Sequence, residues 1–351
     1  MKMKNIIPLL FVSMAIWLYS CVATSSTSLQ VIKPAEITVS PQIIKLGVVD
    51  RSHPDKKGKT LNVLEGLVSG EGVYQDKYAV TEAISGLVGG LSKSQRFTSF
   101  QIQGVELTNN GSAYFSPILD WNLVKELCLK NNVDALVVLE IFDTDKNMRW
   151  TNESRTVTKN GISQNEIWQV VNSTITVTTG WRIYDPSTET ITDEYRFSDS
   201  KTNTGKGLTT SEAENVLVQN SSVISQLARS NGERYALRIA PTPIMVNRSY
   251  YTGGDVRMKL ARDFIVNKNY DDALKLYEKV FENAEKPKVK ARAAHNIAMV
   301  YEVKGDIEKA IEWAQKAVDM GNKSSRYYLQ TLSQRKVDDA KAKEQLNELS
   351  K

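Results

Sequence analysis

At 351 residues the chain has room for two domains of the usual ~100–200 residues each. Hydrophobic residues make up 41% and charged residues 24%, which excludes a chain disordered over most of its length. The formal charge of +5 is mild and scattered, and a nucleic-acid partner is not expected from it.

The chain opens with Lys2 and Lys4, an apolar run from Ile6 to Leu18, and then Leu18-Tyr19-Ser20-Cys21. A charged start followed by an apolar stretch of this length describes a secretory signal over residues 1–20. The run is too short to cross a ~30 Å bilayer core comfortably. A cysteine directly behind a Leu-x-small triplet resembles the bacterial lipobox. That resemblance implies cleavage before Cys21 and lipidation of its thiol, with stable anchoring because each buried methylene contributes ~0.8 kcal/mol. Without Lys2 and Lys4 the mature chain is near +3. Residues 21–40 read as the lipidated cysteine and a tether, since Val22 to Ser28 has the small polar composition of a flexible linker. No aspartate or acidic cluster follows Cys21, and the resemblance then implies the outer membrane, facing the periplasm. Cys128 is the other of two cysteines, and it reads as a small buried hydrophobe with no intrachain partner.

Residues 41–250 switch between strand and helix patterns. The run from Ile43 to Val49 reads as a buried strand ending in the loop Asp50-Arg51-Ser52-His53-Pro54. Val80, Ala83, Ile84, Leu87, Val88 and Leu91 place one apolar stripe on a helix from about Asp76 to Leu91. Gly86-Leu87-Val88-Gly89-Gly90 then reads as a helix terminus and not a phosphate loop. Arg96 to Gln103 is a candidate strand. Asp120 caps a helix to about Leu129, closed by Asn131-Asn132, and Val133 to Phe142 is a second buried strand. Alternating polar and apolar residues, with a turn at Asp185-Pro186-Ser187-Thr188, predict a long antiparallel hairpin over 166–198. Ser211 with Glu214 signals a capping box for a helix to about Ala228, and Arg238 to Val246 reads as a last strand. The expected class is α+β, with an N-terminal α/β sandwich-like domain on a mixed sheet.

Ser94-Gln95-Arg96-Phe97 and Tyr184-Asp185-Pro186, in this order of elements, resemble the small periplasmic domains of curli-secretion lipoproteins and of the TolB amino-terminal domain. Val49-Asp50-Arg51-Ser52, Ser69-Gly70-Glu71, Trp121 with Leu127-Cys128, and Val133-Asp134-Ala135-Leu136 make the whole chain similar to a Bacteroidota lipoprotein family with a domain of unknown function. That second resemblance implies no activity.

Residues 251–351 are all helical in pattern. Ala291 to Tyr301, Gly305-Asp306, Lys309-Ala310-Ile311 and Lys316-Ala317-Val318 resemble a tetratricopeptide repeat. Leu260-Ala261, Phe264, Tyr270, Ala273, Tyr277 and Val280 fill the same positions one repeat earlier, and Ser324 to about Leu349 reads as a capping helix. Such repeats imply a groove for a peptide segment, with Asn296 at a ligand-reading position and Arg262 and Trp313 as further partner contacts. Met258 and Arg262 depart from the residues that a carboxylate clamp would carry.

No phosphate loop, metal-ligand spacing or nucleophile elbow is legible, and no catalytic residue, metal or cofactor is expected. Asp50, Arg51 and His53 are the candidate ligand loop, because they follow the first strand of a sheet. The expectation is a non-enzymatic, lipid-anchored scaffold whose tail holds an envelope protein or peptide. The alternatives are an oligomerising secretion or assembly subunit of the curli type and, third, a hydrolase using the His53 loop.

Overall fold

The computed structural model describes residues 23–53, 72–109, 114–217 and 220–347, with the side chains of 72–77, 159 and 220 left aside. Cys21 lies outside these residues. The fold is α+β. Seven strands are β1 (Thr24–Lys33), β2 (Lys45–Asp50), β3 (Thr98–Gln101), β4 (Ala135–Lys159), β5 (Ile162–Asp185), β6 (Thr190–Gly207) and β7 (Thr242–Tyr251). The helices are α1 (Gly72–Leu91), α2 (Trp121–Asn131), α3 (Thr210–Asn215), α4 (Asn220–Ile239) and, in the tail, α5 (Val256–Val266), α6 (Tyr270–Asn283), α7 (Pro287–Lys304), α8 (Ile307–Asp319) and α9 (Lys323–Asn347).

Backbone contacts divide the chain into two units, neither continuous in sequence. One takes Met1–Leu29 with Met245–Lys336, and the other Gln30–Ile244 with Val337–Lys351. The middle division lies between Ile244 and Met245, and the last helix changes unit midway.

The sheet unit has strand order β3-β2-β4-β5-β6. β2 runs parallel to β3 and β4, and β4, β5 and β6 are antiparallel, so the sheet is mixed. Helices cover both faces. On one, Ala83, Ile84 and Leu87 of α1 and Val223, Ala228 and Tyr235 of α4 pack on Val48, Val137, Val177 and Trp181. On the other, Val124, Leu127 and Cys128 of α2 meet Val49, Leu136, Val138 and Tyr184. Asp120 caps α2 by accepting from the amides of Asn122 and Leu123, and Asn132 ends it in the left-handed conformation at φ 53°, as the sequence indicates. Burial pushes the Cys128 thiol up to about 12, which keeps it a protonated packing group.

Several expectations need correction. The strand expected to stop at Phe142 runs on to Lys159, and the hairpin expected over 166–198 spans three strands from 135 to 207. The cause is the turn Asn160-Gly161, whose φ values of 52° and 79° close a two-residue hairpin between Lys159 and Ile162. The capping box belongs to Thr209 and Glu212, starting the short α3, after which α4 begins anew. Gly89-Gly90 does lie in the last turn of α1, which ends at Leu91, but Gly86 is inside the helix: a Cβ on it would lie 2.1 Å from the Arg229 carbonyl oxygen, and one on Gly232 of α4 would lie 1.9 Å from that of Ala83. Gly86 and Gly232 let two helices touch. Finally, the expected strand at Arg238 starts at Thr242, because α4 continues to Ile239.

In the helical unit, α5 packs on α6, α6 on α7, and α7 on α8, around Tyr277, Ala293, Ile297, Ala298 and Ala310. Asp255, Asn269 and Asp306 cap α5, α6 and α8, while Gly305 at φ 85° closes α7. The stretch expected to be a tether is strand. β1 pairs with β7, and within the helical unit the Thr252 amide donates to the Ala23 carbonyl at 2.9 Å and the Ser28 hydroxyl to Asn247 Oδ1 at 2.6 Å. Thr and Ser favour a pleated strand once its backbone groups find a partner, and linker composition cannot reveal that partner.

Candidate functional site

α7 is buried on nearly every side, unlike a helix lining an open groove. The Asn296 amide is fully buried and reads one backbone residue in both senses: Nδ2 donates to the Tyr251 carbonyl at 2.7 Å, and Oδ1 accepts from the Tyr251 amide at 2.8 Å. One residue before it on α7, His295 Nε2 faces the Ser249 carbonyl at 3.1 Å. A carbonyl only accepts, so Nε2 carries the proton, and Nδ1 accepts from the Ser325 hydroxyl at 2.9 Å. Burial holds the His295 pKa below its ordinary value, against the raising effect of the Ser249 carbonyl. Ser249 and Tyr251 are two apart, and the strand period therefore points both toward α7.

Two turns along α7, the buried Glu302 carboxylate takes a two-pronged bond from Arg248, with Nε and Nη2 each at 2.8 Å. Tyr328 adds a hydroxyl at 2.6 Å and Arg335 a guanidinium nitrogen at 2.9 Å, both from α9. Burial alone would raise the Glu302 carboxyl, but the bonds from Arg248, Tyr328 and Arg335 hold it below the usual carboxylate range. The constellation recognises an extended backbone carrying an arginine, and its occupant is β7 of the same chain. This corrects the expectation for Asn296, whose amide is spent on Tyr251.

The other expected contacts are dispersed. Arg262 is exposed on α5 and pairs with the adjacent Asp263 at 3.0 Å. Trp313 is half-buried on α8, edge-on to Phe281 at 4.9 Å between ring centres, with the Lys316 ammonium 4.1 Å above its ring. On α5, Val256 and Leu260 are four residues apart and 72% and 51% exposed, which leaves an apolar stripe open on that helix.

In the sheet unit the residues of the expected ligand loop diverge. Asp50 Oδ1 accepts from the Ser52 amide at 2.8 Å and from its hydroxyl at 2.7 Å, and His53 Nε2 lies 3.2 Å from Oδ2. Burial raises the Asp50 pKa, but the bonds from His53 and Ser52 outweigh it and bring the net value down. The serine's one proton goes to the carboxylate, an order unlike that of a nucleophile and its base. Arg51 points to the opposite face. Its Nη1 lies 3.2 Å from Glu140 Oε2 and donates to the Pro117 carbonyl at 2.8 Å.

Glu140 was hidden in the apolar run 133–142. It sits at the β4 register shift between Leu139 and Ile141, fully buried. Tyr184 donates to it at 2.5 Å, and Arg182 Nη1 lies 3.6 Å away while also donating to the Ser116 carbonyl at 2.6 Å. Burial, then the Glu140 carboxylate, push the Tyr184 hydroxyl up to about 12. A charged letter inside that run, where Asp134 at its start is the only other, was the available signal. Among the described residues no three metal-binding side chains converge. A depression of about 450 Å³ between α1 and α4 is lined by Tyr78, Ser222, Gln226 and the Glu82–Arg229 ion pair.

A family model described as a domain of unknown function (DUF8603) matches residues 43–251, more than half of the chain. The chain belongs to that family. A second model, a domain of unknown function (DUF6340), matches residues 259–350, so the two matches meet near the end of β7. No curated protein matches the chain. Among solved structures it is similar to the PelC dodecamer from Paraburkholderia phytofirmans, at 15% identity over 61% of this chain and 99% of that one, with a TM-score of 0.21. A neuraminyllactose-binding hemagglutinin homolog from Helicobacter pylori is similar at 11% identity over 58% and 95%, with a TM-score of 0.20.

Proposed function

We propose that this chain is a lipid-anchored, non-enzymatic scaffold of the bacterial envelope, of the kind found among Bacteroidota lipoproteins, with a tail of tetratricopeptide-like repeats. The observation that carries the reading joins two features. Cys21, the residue behind the lipobox-like triplet, stands two positions before Ala23, whose carbonyl is bound into the helical unit by Thr252. Two residues reach ~7 Å. An acyl anchor on Cys21 therefore places the helical unit, and not a free linker, at the membrane surface. The proposed face is the periplasmic side of the outer membrane. No described helix is long and apolar enough to cross a membrane.

The tail holds its partner, an envelope protein or peptide segment, through the stripe of Val256 and Leu260 on α5, since the α7 face is taken by β7. Two measurements test this. Metabolic labelling with an alkyne palmitate in the native host should mark the wild-type chain, and Cys21→Ser should lose both the label and the membrane fraction. In-cell cross-linking should give a defined adduct that Val256→Lys with Leu260→Lys removes. An unlabelled wild-type chain overturns the anchor, and an adduct indifferent to the α5 changes overturns the role of the tail.

A further inference from the structure

Strands β4 and β5 form an arm far longer than the sheet they grow from. β2 covers β4 only as far as Leu139, whereas β5 follows it in unbroken register from Ile141 to Lys159. Among the described residues no strand pairs with the outer edge of β4 beyond that point. Between Asp143 and Lys159 this edge contains no proline and no register shift, two devices that commonly close an edge to pairing; its charges, a third device, restrict which partner and register it accepts.

The hydrogen-bonding phase of the edge follows from the turn. In a two-residue hairpin the closing pair, here Lys159 with Ile162, is hydrogen-bonded, so odd-numbered β4 residues bond inward to β5. The even pairs Thr156–Asn165 and Thr158–Ser163 touch through their side chains, as the closer, non-bonded pairs of a ladder do. Even-numbered residues therefore turn their N–H and C=O groups outward.

We propose that this edge pairs with the same edge of a second copy of the chain, antiparallel, about a two-fold axis at Thr151. Charge complementarity and length of overlap together select the occupant and the register: an axis at Asn147 would set Arg149 against Asp145 but would join only residues 143–151, against 143–159 about Thr151. Centred on Thr151, each Arg149 faces Glu153 of the other copy on one face of the joined sheet. Arg149 is exposed and, among the described residues, has no ion-pair partner in its own chain. Moving the centre to Asn152 opposes Arg149 to Arg155, and moving it to Arg149 opposes that residue to itself and Asp145 to Glu153. Centring on Glu153 sets two glutamates together. Centring on Trp150 also avoids like charges, but its pairing with Asp145 would draw Arg155 away from Glu153 at 2.9 Å and from the Trp168 ring at 4.8 Å; about Thr151, Glu153 keeps Arg155 and Lys206, at 2.9 and 2.5 Å, and receives Arg149 on a remaining lone pair. The ladder of backbone bonds supplies the attraction; the exposed ion pairs choose among registers. The pairing is a closed, isologous contact and ends at two copies. It does not depend on the lipid anchor or on the helical tail.

Thr151 on the axis is a non-bonded pair with its own copy, ~4.5 Å between Cα atoms, within the span of a disulfide. The test uses the full mature chain in detergent. Thr151→Cys under mild oxidation should run as a covalent dimer on a non-reducing gel, and Thr158→Cys should not. Arg149→Glu in the Thr151→Cys background should lower the linked fraction roughly tenfold, and adding Glu153→Arg should restore it. Sedimentation of the unmodified chain should show a dimer that Arg149→Glu dissociates. A monomer, a species larger than two copies, or cross-linking indifferent to the charge reversal each overturns the proposal.

Discussion

Asn296 and Glu302 show how single side chains on α7 decide what the helical unit can hold. Replacing Asn296 by alanine leaves the buried N–H and C=O of Tyr251 unpaired, at a cost of about 3 kcal/mol; urea unfolding of Asn296→Ala should show it. The same helix makes the unit acid-sensitive in two stages. His295 is neutral when folded because its pKa is lowered, whereas the unfolded chain takes up a proton below 6.5. Its contribution is therefore complete above pH 6.5 and is lost as the pH falls toward the lower folded value. Glu302, also lowered, contributes fully above the ordinary value of 4.5 and loses that contribution as the pH falls through its folded value. The protection of the α7 amides, corrected for the intrinsic pH dependence of exchange, should fall from about pH 6.5 downward, and His295→Gln should remove that first stage while leaving the second. The sequence placed Asn296 at a ligand-reading position, and it does read a backbone. Sequence periodicity says nothing about which chain segment fills a groove, and the ligand here is Tyr251.

At the scale of elements, patterns that depend on near neighbours were legible and those that depend on approach were not. The α1 stripe, the Asp120 cap and the helices of the tail follow from spacings of three and four residues. The Asn160-Gly161 hairpin was also written in the chain, and only the polar composition of the arm hid it. Thr174 with Thr202, Thr176 with Ser200, and Thr178 with Ser198 bond across β5 and β6, so hydroxyl pairs take the place of an apolar face. The α1–α4 crossing was not legible, because a glycine in a helix reads as weakness until its opposite backbone is known. Gly86→Ala gains ~1 kcal/mol in helix propensity but forces the backbones apart at a cost of about 1–3 kcal/mol or more. Thermal unfolding should place both Gly86→Ala and Gly232→Ala below the wild type, whereas Gly89→Ala, with nothing within 4 Å, should be neutral or stabilising.

Across the whole molecule, each unit is completed by a segment distant in sequence. The helical unit needs β1 and β7. The sheet unit receives the end of α9, where Gln345 accepts from the Ala35 amide at 2.9 Å and donates to its carbonyl at 3.2 Å. That repeats within the sheet unit the amide-to-backbone reading that Asn296 performs in the helical one. The fragment 251–351, natural to cut from the repeat pattern, therefore lacks Arg248 and leaves Glu302 short of its main partner. Breaking such a buried pair costs ~3–5 kcal/mol. Circular dichroism of that fragment should show no cooperative thermal transition, while residues 23–351 should show one. A sharp transition in the fragment would mean that β7 is dispensable.

The sequence by itself determined the α+β class, the order of most elements and the signal-like start, because these rest on local periodicity and on residues adjacent in the chain. Tertiary structure alone decided that residues 24–28 are strand, that α7 faces its own β7, and that Glu140 lies buried between two arginines. Each of those depends on which backbone or charge arrives from some forty to more than two hundred positions away, or on a buried environment that one letter does not carry. Long-range pairing supplies the partner, and the partner decides whether a polar residue is a contact for others or a fastening within the fold.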